Sequence, residues 1–275
     1  MPAEDGPVDP EPLMHVSEIE AMLVALDDLG DQLRSIQQEV LSDPEADEPN
    51  AVLLGLASRM YRLLYGLLER PSAWTPDAAG LHMRPLVDTR ILVGWLVTRN
   101  DPQIFAAYRE HGLGRLKLLR EHIKADLGDD LDDETQEMLE RLDRRVNLER
   151  DEWVQPVNLG SFTDVTTRTM AIEAGLKGEY DLSYAPLSSY NHGEWPAVRE
   201  NDTTICAEPL HRNHRVGAFR APPRTLNASP ALAGMDLARD GIVQIFAHYG
   251  RDVAPSFVAL QEALHKAMYD DADET

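Results

Sequence analysis

Apolar residues recur every three to four positions along most of the chain, while alternation with period two never lasts for the length of a strand. The pattern predicts an all-α protein, a multi-helix bundle of about eight or nine helices. The first helix spans Leu13 to Leu41, with Val16, Ile19, Met22, Leu26, Leu29, Leu33, Ile36 and Val40 on one stripe, and Asp43-Pro44 stops it. The second runs from Asn50 to Glu69, ahead of Pro71. Thr75-Pro76 and Asp101-Pro102 each join a capping side chain to a proline at the first helical position. They open a third helix to Arg99 and a fourth to Leu127, which Gly128 closes. A fifth, from Asp132 to Trp153, is apolar at Met138, Leu139, Leu142 and Val146 and densely charged elsewhere, as befits a surface helix or a partner-facing arm. Ser161 and Asp164 read as a capping box for a short helix ended by Gly175. Asp181 to His192 reads as a helix containing or begun by Pro186, with Gly193 and Pro196 as its terminators. Ser229-Pro230 then opens a helix to Tyr249, and Pro255 to Tyr269 forms the last.

The third helix differs from the others in having no broad polar face. Leu81, Leu86, Val87, Ile91, Leu92, Val93, Trp95, Leu96 and Val97 surround it, so it belongs in the centre of the bundle. Residues 193–229, rich in Pro, Arg, Asn and His, show no period and read as one long irregular loop, a feature that is functional or mobile in a compact domain. The expected organisation is a single helical domain over 13–269, with loose ends at 1–12 and 270–275 that are too acidic and apolar-poor to offset the entropy of ordering.

Composition changes this picture in three places. The chain has 275 residues and a formal charge of −22, which disfavours duplex DNA as a partner because the field repels polyphosphate. No uninterrupted apolar run is long enough to span a bilayer and no signal-peptide pattern opens the chain, so no membrane association and a cytoplasmic location are expected. The single cysteine, Cys206, has no partner for an internal disulfide or a thiolate zinc site.

Candidate chemistry begins on the central helix. Arg84 and Asp88 share a narrow stripe with Ile91 and Trp95, which places two opposite charges among apolar neighbours. Charges in a core need partners, so the pair is either an internal ion pair that fixes helix register or part of a ligand site. A second cluster lies at Tyr184, Ser188, Asn191 and His192, where Ser188 and His192 stand at i and i+4 and are within hydrogen-bonding reach on one helix. No Gly-x-Ser-x-Gly elbow surrounds Ser188, and a histidine that ends the helix and orders the loop after Gly193 accounts for His192 better than a catalytic role does. His192, Glu194, His211 and His214 are of metal-ligating type, but their spacing matches no metal motif, so neither a metal nor a cofactor is expected. The basic run from His211 to Arg215, with Arg220 and Arg224, would suit an anion or acidic neighbours.

Arg84-x-x-x-Asp88, then Asp101-Pro102 with Tyr108, then Tyr184-x-x-Leu187-Ser188-x-x-x-His192-Gly193, together resemble a family of uncharacterised helical bacterial proteins, a domain of unknown function. The resemblance covers about Ala51 to Glu194, and the family commonly carries glutamate where Asp88 stands. It implies a fold and a candidate pocket and no activity. Arg115 and His122, seven apart on one face of the fourth helix, resemble the arginine and histidine of the helical HEPN ribonucleases. Leu116 departs from the polar residue usual after that arginine. That resemblance implies metal-independent RNA cleavage in a toxin or phage-defence role, arginine stabilising the phosphoryl charge and histidine moving a proton.

These residues support three readings. In the leading one, Arg84 and Asp88 meet Tyr184, Ser188, Asn191 and His192 in a polar pocket for a small anionic or polar ligand. In the second, Arg115 and His122 are catalytic. In the third there is no catalysis, and the charged 131–153 arm pairs two copies of the chain as a homodimer.

Overall fold

The structure is a computed structural model describing residues 16–41, 48–128, 132–148, 161–208, 210, 214–218 and 229–269. Its order is α1 (Val16–Leu41), α2 (Glu48–Leu68), α3 (Pro76–Arg99), α4 (Pro102–Leu127), α5 (Asp133–Leu148), α6 (Thr167–Glu173), α7 (Lys177–Glu179), α8 (Ala185–His192), α9 (Trp195–Asn201), a hairpin of β1 (Thr203–Ile205) and β2 (Arg215–Gly217), α10 (Ser229–His248) and α11 (Val258–Tyr269). The all-α bundle expected from the hydrophobic pattern is what forms, with one small antiparallel pair added in the register Thr204 to Val216.

Capping chemistry places the long helices. Thr75 accepts a hydrogen bond from the Ala78 amide at 3.4 Å, and Asp101 accepts one from Gln103 at 2.9 Å. Between them Asn100 ends α3 in the left-handed region, φ 46°, a conformation its short amide tolerates better than most side chains. The chain therefore passes from α3 into α4 within two residues.

Three local readings need correction. The short helix begins at Thr167, capped by the Thr166 hydroxyl on the Thr169 amide at 3.2 Å, while the Ser161 hydroxyl only closes a turn onto Thr163. Pro196 lies in the first turn of α9, so it begins a helix where the sequence suggested an end, and part of the span read as irregular is ordered by α9 and the hairpin. The strands are three residues each, too short for alternation to register in the sequence. The helix around Pro186 starts earlier, at Lys177, and passes through a π-turn at Tyr180–Tyr184. Proline 186 has no N–H to give the Leu182 carbonyl and its ring crowds that carbonyl, so a widened turn just before it removes the conflict. The terminal segments 1–12 and 270–275, Trp153, His211, Arg212, Arg220 and Arg224 lie outside the described residues.

The central position of α3 is realised. It packs on α2, α10, α6 and α8, and Leu86, Val87, Ile91, Val93, Trp95 and Leu96 are all buried. Helix α10 reaches it closely because Ala231, Gly234, Ala238 and Gly241 form a buried stripe of small residues. A Cβ on Gly234 would strike Leu67 and lie 3.1 Å from Met83 Sδ, and one on Gly241 would lie 2.5 Å from Met60 Sδ. Helix α1 covers α11 and part of α2. Helix α5, the charged arm, packs on α4 through Leu139. Among the described residues one helical stretch, Pro49–Leu68, is long and apolar enough to cross a membrane, and half of it is buried against the other helices.

Candidate functional site

The chain from α6 to α8 returns antiparallel along α3 and is tied to it at intervals. At one end the Trp95 indole donates to Glu173 Oε2 at 2.6 Å, and Arg99 grips both oxygens of that carboxylate at 2.7 Å. These donors hold the Glu173 carboxyl below its usual pKa, Arg99 contributing most and Trp95 next. At the other end Gly80 faces Tyr190 and Asn191, where an added Cβ would lie 3.4 Å from Tyr190 Cβ.

Between these ends sits the Arg84–Asp88 pair. Arg84 Nε is 3.1 Å from Asp88 Oδ2, Arg84 Nη1 donates to the Tyr184 carbonyl at 2.8 Å, and the guanidinium carbon stands 3.2 Å from the centroid of the Tyr184 ring. That ring stacks in turn on Tyr180, centroids 4.5 Å apart. The π-turn holds both rings on the side facing α3. The pair is asymmetric: the Arg84 side chain is 12% exposed and that of Asp88 is 44% exposed. Burial raises the Asp88 carboxyl above its ordinary pKa, against the opposing pull of Arg84 and of Arg59 on α2. Arg59 also acts on the half-buried Tyr108 hydroxyl of α4, whose pKa burial raises.

Arg84, Asp88 and Tyr184 are thus in direct contact. Ser188, half-buried, and Asn191 and His192, both exposed, continue along α8 beside the N-terminal half of α3. Eight residues separate Tyr184 from His192, roughly 12 Å along a helix axis, so His192 lies beyond the reach of the Arg84 guanidinium. Among the described residues Ser188 and His192 are not hydrogen-bonded to one another.

One polar group escaped the sequence reading. Arg90 is buried on the face of α3 turned to α10 and α7, where Nη1 donates to Gln244 Oε1 at 2.5 Å and Nε lies 3.8 Å from Glu179 Oε2. At that separation no hydrogen bond forms, and both atoms are buried without one. Burial raises the Glu179 carboxyl, with Arg90 opposing and Asp240 reinforcing the shift. A signal was present: Arg90 stands in the longest apolar stretch of α3, with Leu86, Val87, Val93 and Gly94 at the helical neighbour positions, so its acid had to come from another element.

The other candidates lie apart from this seam. Arg115 and His122 are both exposed on α4, and His122 borders a wide, open depression with Ile123 and Asp126. His192, Glu194 and His214 do not gather, and among the described residues no group of three or more histidine, cysteine or acidic side chains could hold a metal ion. Arg215 is engaged by the hairpin, donating to the Thr203 hydroxyl at 2.7 Å and the Arg199 carbonyl at 2.9 Å.

Fold and seam together define an all-α multi-helix protein built around one apolar helix that carries a buried arginine, Arg90, and a partly buried one, Arg84. A family model matches residues 50–203, from α2 to the start of β1, and the chain belongs to that family, a family of unknown function (DUF5677). No curated protein and no solved structure matches the chain.

Proposed function

We propose that this protein binds a small anionic or polar ligand at the seam of α3 and α8, anchored by Arg84 and met at the surface by Asp88 and Arg59. The observation that carries this reading is the asymmetry of the ion pair, a nearly buried guanidinium joined to a carboxylate that reaches solvent. Arg59 makes no ion pair among the described residues, so two guanidinium groups face one carboxylate and leave positive charge in a strongly acidic chain. Tyr184 holds the Arg84 guanidinium in place, and Ser188, Asn191 and His192 extend a polar rim along α8. No covalent step is assigned.

Calorimetric titration with inorganic phosphate at constant ionic strength tests the reading. Saturable binding is expected, weakened about ten-fold by Arg59→Gln, since a charge-assisted hydrogen bond is worth that much or more. Arg59 is exposed and its replacement leaves the Arg84 contacts intact. Absence of saturable phosphate binding, together with no co-purifying small molecule by native mass spectrometry, would overturn it.

The ribonuclease reading draws on Arg115 and His122 sharing an exposed face of α4 beside the open depression. It ranks second because the strongly acidic chain opposes a phosphodiester chain and Arg120 on the same helix is already tied to Glu121 and Asp143. The interaction reading draws on α5, which packs on α4 and exposes Met138.

A further inference from the structure

A separate concavity lies where α1, α2 and α10 meet. It is a cleft of about 280 Å³, just under the roughly 300 Å³ at which ligand clefts of proteins begin. Its floor is apolar, lined by the largely buried Leu33, Ala57 and Phe246. Its mouth carries Arg34, Gln37, Ser58 and Arg62.

The wall is built by one substitution-sensitive contact. Tyr61 lies across α1 and donates its hydroxyl to the Leu26 carbonyl at 3.0 Å, which is allowed only because position 30 is glycine. A Cβ there would press on the Tyr61 hydroxyl and sit 2.8 Å from ring atom Cζ. The cleft is therefore a consequence of how α1 and α2 pack.

Charge decides what fits. Arg34 is paired with Asp31 at 2.5 Å, while Arg62 makes no ion pair among the described residues. The nearby Asp27 is engaged with the Tyr65 hydroxyl. One guanidinium at the mouth, that of Arg62, thus has its donors unclaimed by a carboxylate above an apolar floor. A planar carboxylate matches the fork of an arginine. A dianion would bring a second charge with no counterpart into a chain of net charge −22.

We propose that the cleft between α1, α2 and α10 binds a small organic monocarboxylate, its acid group on Arg62 with support from Arg34 and Gln37, and its flat apolar body on Leu33, Ala57 and Phe246. The probe is 1-naphthoate, titrated calorimetrically against the full chain, with uncharged 1-naphthalenemethanol as the control. Saturable binding of one equivalent is expected. Arg62→Gln and the alcohol should each weaken it about ten-fold or more, the loss of one charge-assisted contact. Ser58→Trp, at an exposed lining position, should close the cleft and abolish binding, and melting curves check that both variants fold. Inorganic phosphate, the probe of the α3–α8 seam, should leave naphthoate binding unchanged at constant ionic strength, which separates the two sites. The proposal is overturned if the wild type shows no saturable binding, if Arg62→Gln or the alcohol binds as tightly as the parent pair, or if phosphate displaces the naphthoate.

Discussion

Removing Glu179 should destabilise the fold more than removing Arg90, although the two side chains face each other. The cost of breaking a buried ion pair is set by the charge left behind. In Glu179→Ala that charge is Arg90, whose side chain is 10% exposed and whose remaining partner is Gln244. An arginine cannot escape by losing its proton, so the loss should fall at the low end of the usual range for a broken buried pair, about 3 kcal/mol. In Arg90→Met the survivor is Glu179, 34% exposed, which can hydrate or accept a proton because burial already raises its pKa. The methionine keeps most of the aliphatic packing beside Gly241, and only the Gln244 bond is lost, about 1 kcal/mol. The double variant Arg90→Met with Glu179→Leu leaves no orphaned charge and should be more stable than Glu179→Ala alone. Urea melts of the three variants measure all of this. If Arg90→Met costs as much as Glu179→Ala, or the double variant is the least stable of the three, the argument from residual charge fails.

The carboxyls of α3 and its partner segment should respond to pH in opposite directions. Asp88 is raised in the folded state, so its protonation favours folding: that contribution is complete below the unfolded pKa and is lost as pH rises through the folded one. Asp88→Asn should therefore compare best with wild type near pH 7 and lose that advantage near pH 3.5, read as the difference in melting temperature. Glu173 is lowered, so its stabilisation is present above the usual carboxylate range and fades as pH falls; Glu173→Gln should lower Tm at pH 7 and have little effect in acid. Gly30→Ala should cost about 1–3 kcal/mol by overpacking Tyr61, and Tyr61→Leu in the same chain should recover part of it, as chemical denaturation would show. Purified protein in the presence of chelator should not cleave single-stranded RNA in a gel assay; cleavage abolished by His122→Ala would move Arg115 and His122 to first place.

The parts of the fold legible in sequence are those written in local chemistry. Thr75-Pro76, Asp101-Pro102 and Gly128 mark helix ends by hydrogen bonds within a few residues, and they mark them in the structure too. The all-round apolarity of α3 announces burial whatever packs on it. Pro196 was ambiguous because proline both stops one helix and starts the next, and only the position of α9 decides between the two. The contact of Arg84 with Tyr184 joins residues one hundred positions apart; clustering of polar residues hints at it, but register along α8 sets which side chain arrives, and it is Tyr184 and not His192. The burial of Arg90 is signalled by its apolar neighbours, but its partners are illegible for the same reason, since Glu179 and Gln244 come from two other elements.

The boundaries of the family match leave part of this architecture outside. Residues 50–203 include α2, α3 and the whole seam from Glu173 to His192, but neither α10 nor α1. Yet the packing of α10 on α3 and α2 is where Gly234 and Gly241 bring Leu67, Met83 and Met60 into contact, and Gln244 is the one side chain among the described residues to which Arg90 donates a hydrogen bond. Cutting at the match would expose Leu64, Leu67, Met83 and Leu86 to water and leave the Arg90 guanidinium with only a distant carboxylate. Each fully buried leucine contributes about 1.5–3 kcal/mol relative to exposure, so these losses together are comparable to the whole stability of a typical domain. Residues 50–203 expressed alone should therefore lack a cooperative thermal transition. Adding 229–269 as a separate peptide should restore one, because that segment carries the small-residue face and Gln244. A sharp transition in 50–203 without it would mean that α3 finds other cover, and that the buried arginine is held by the seam alone.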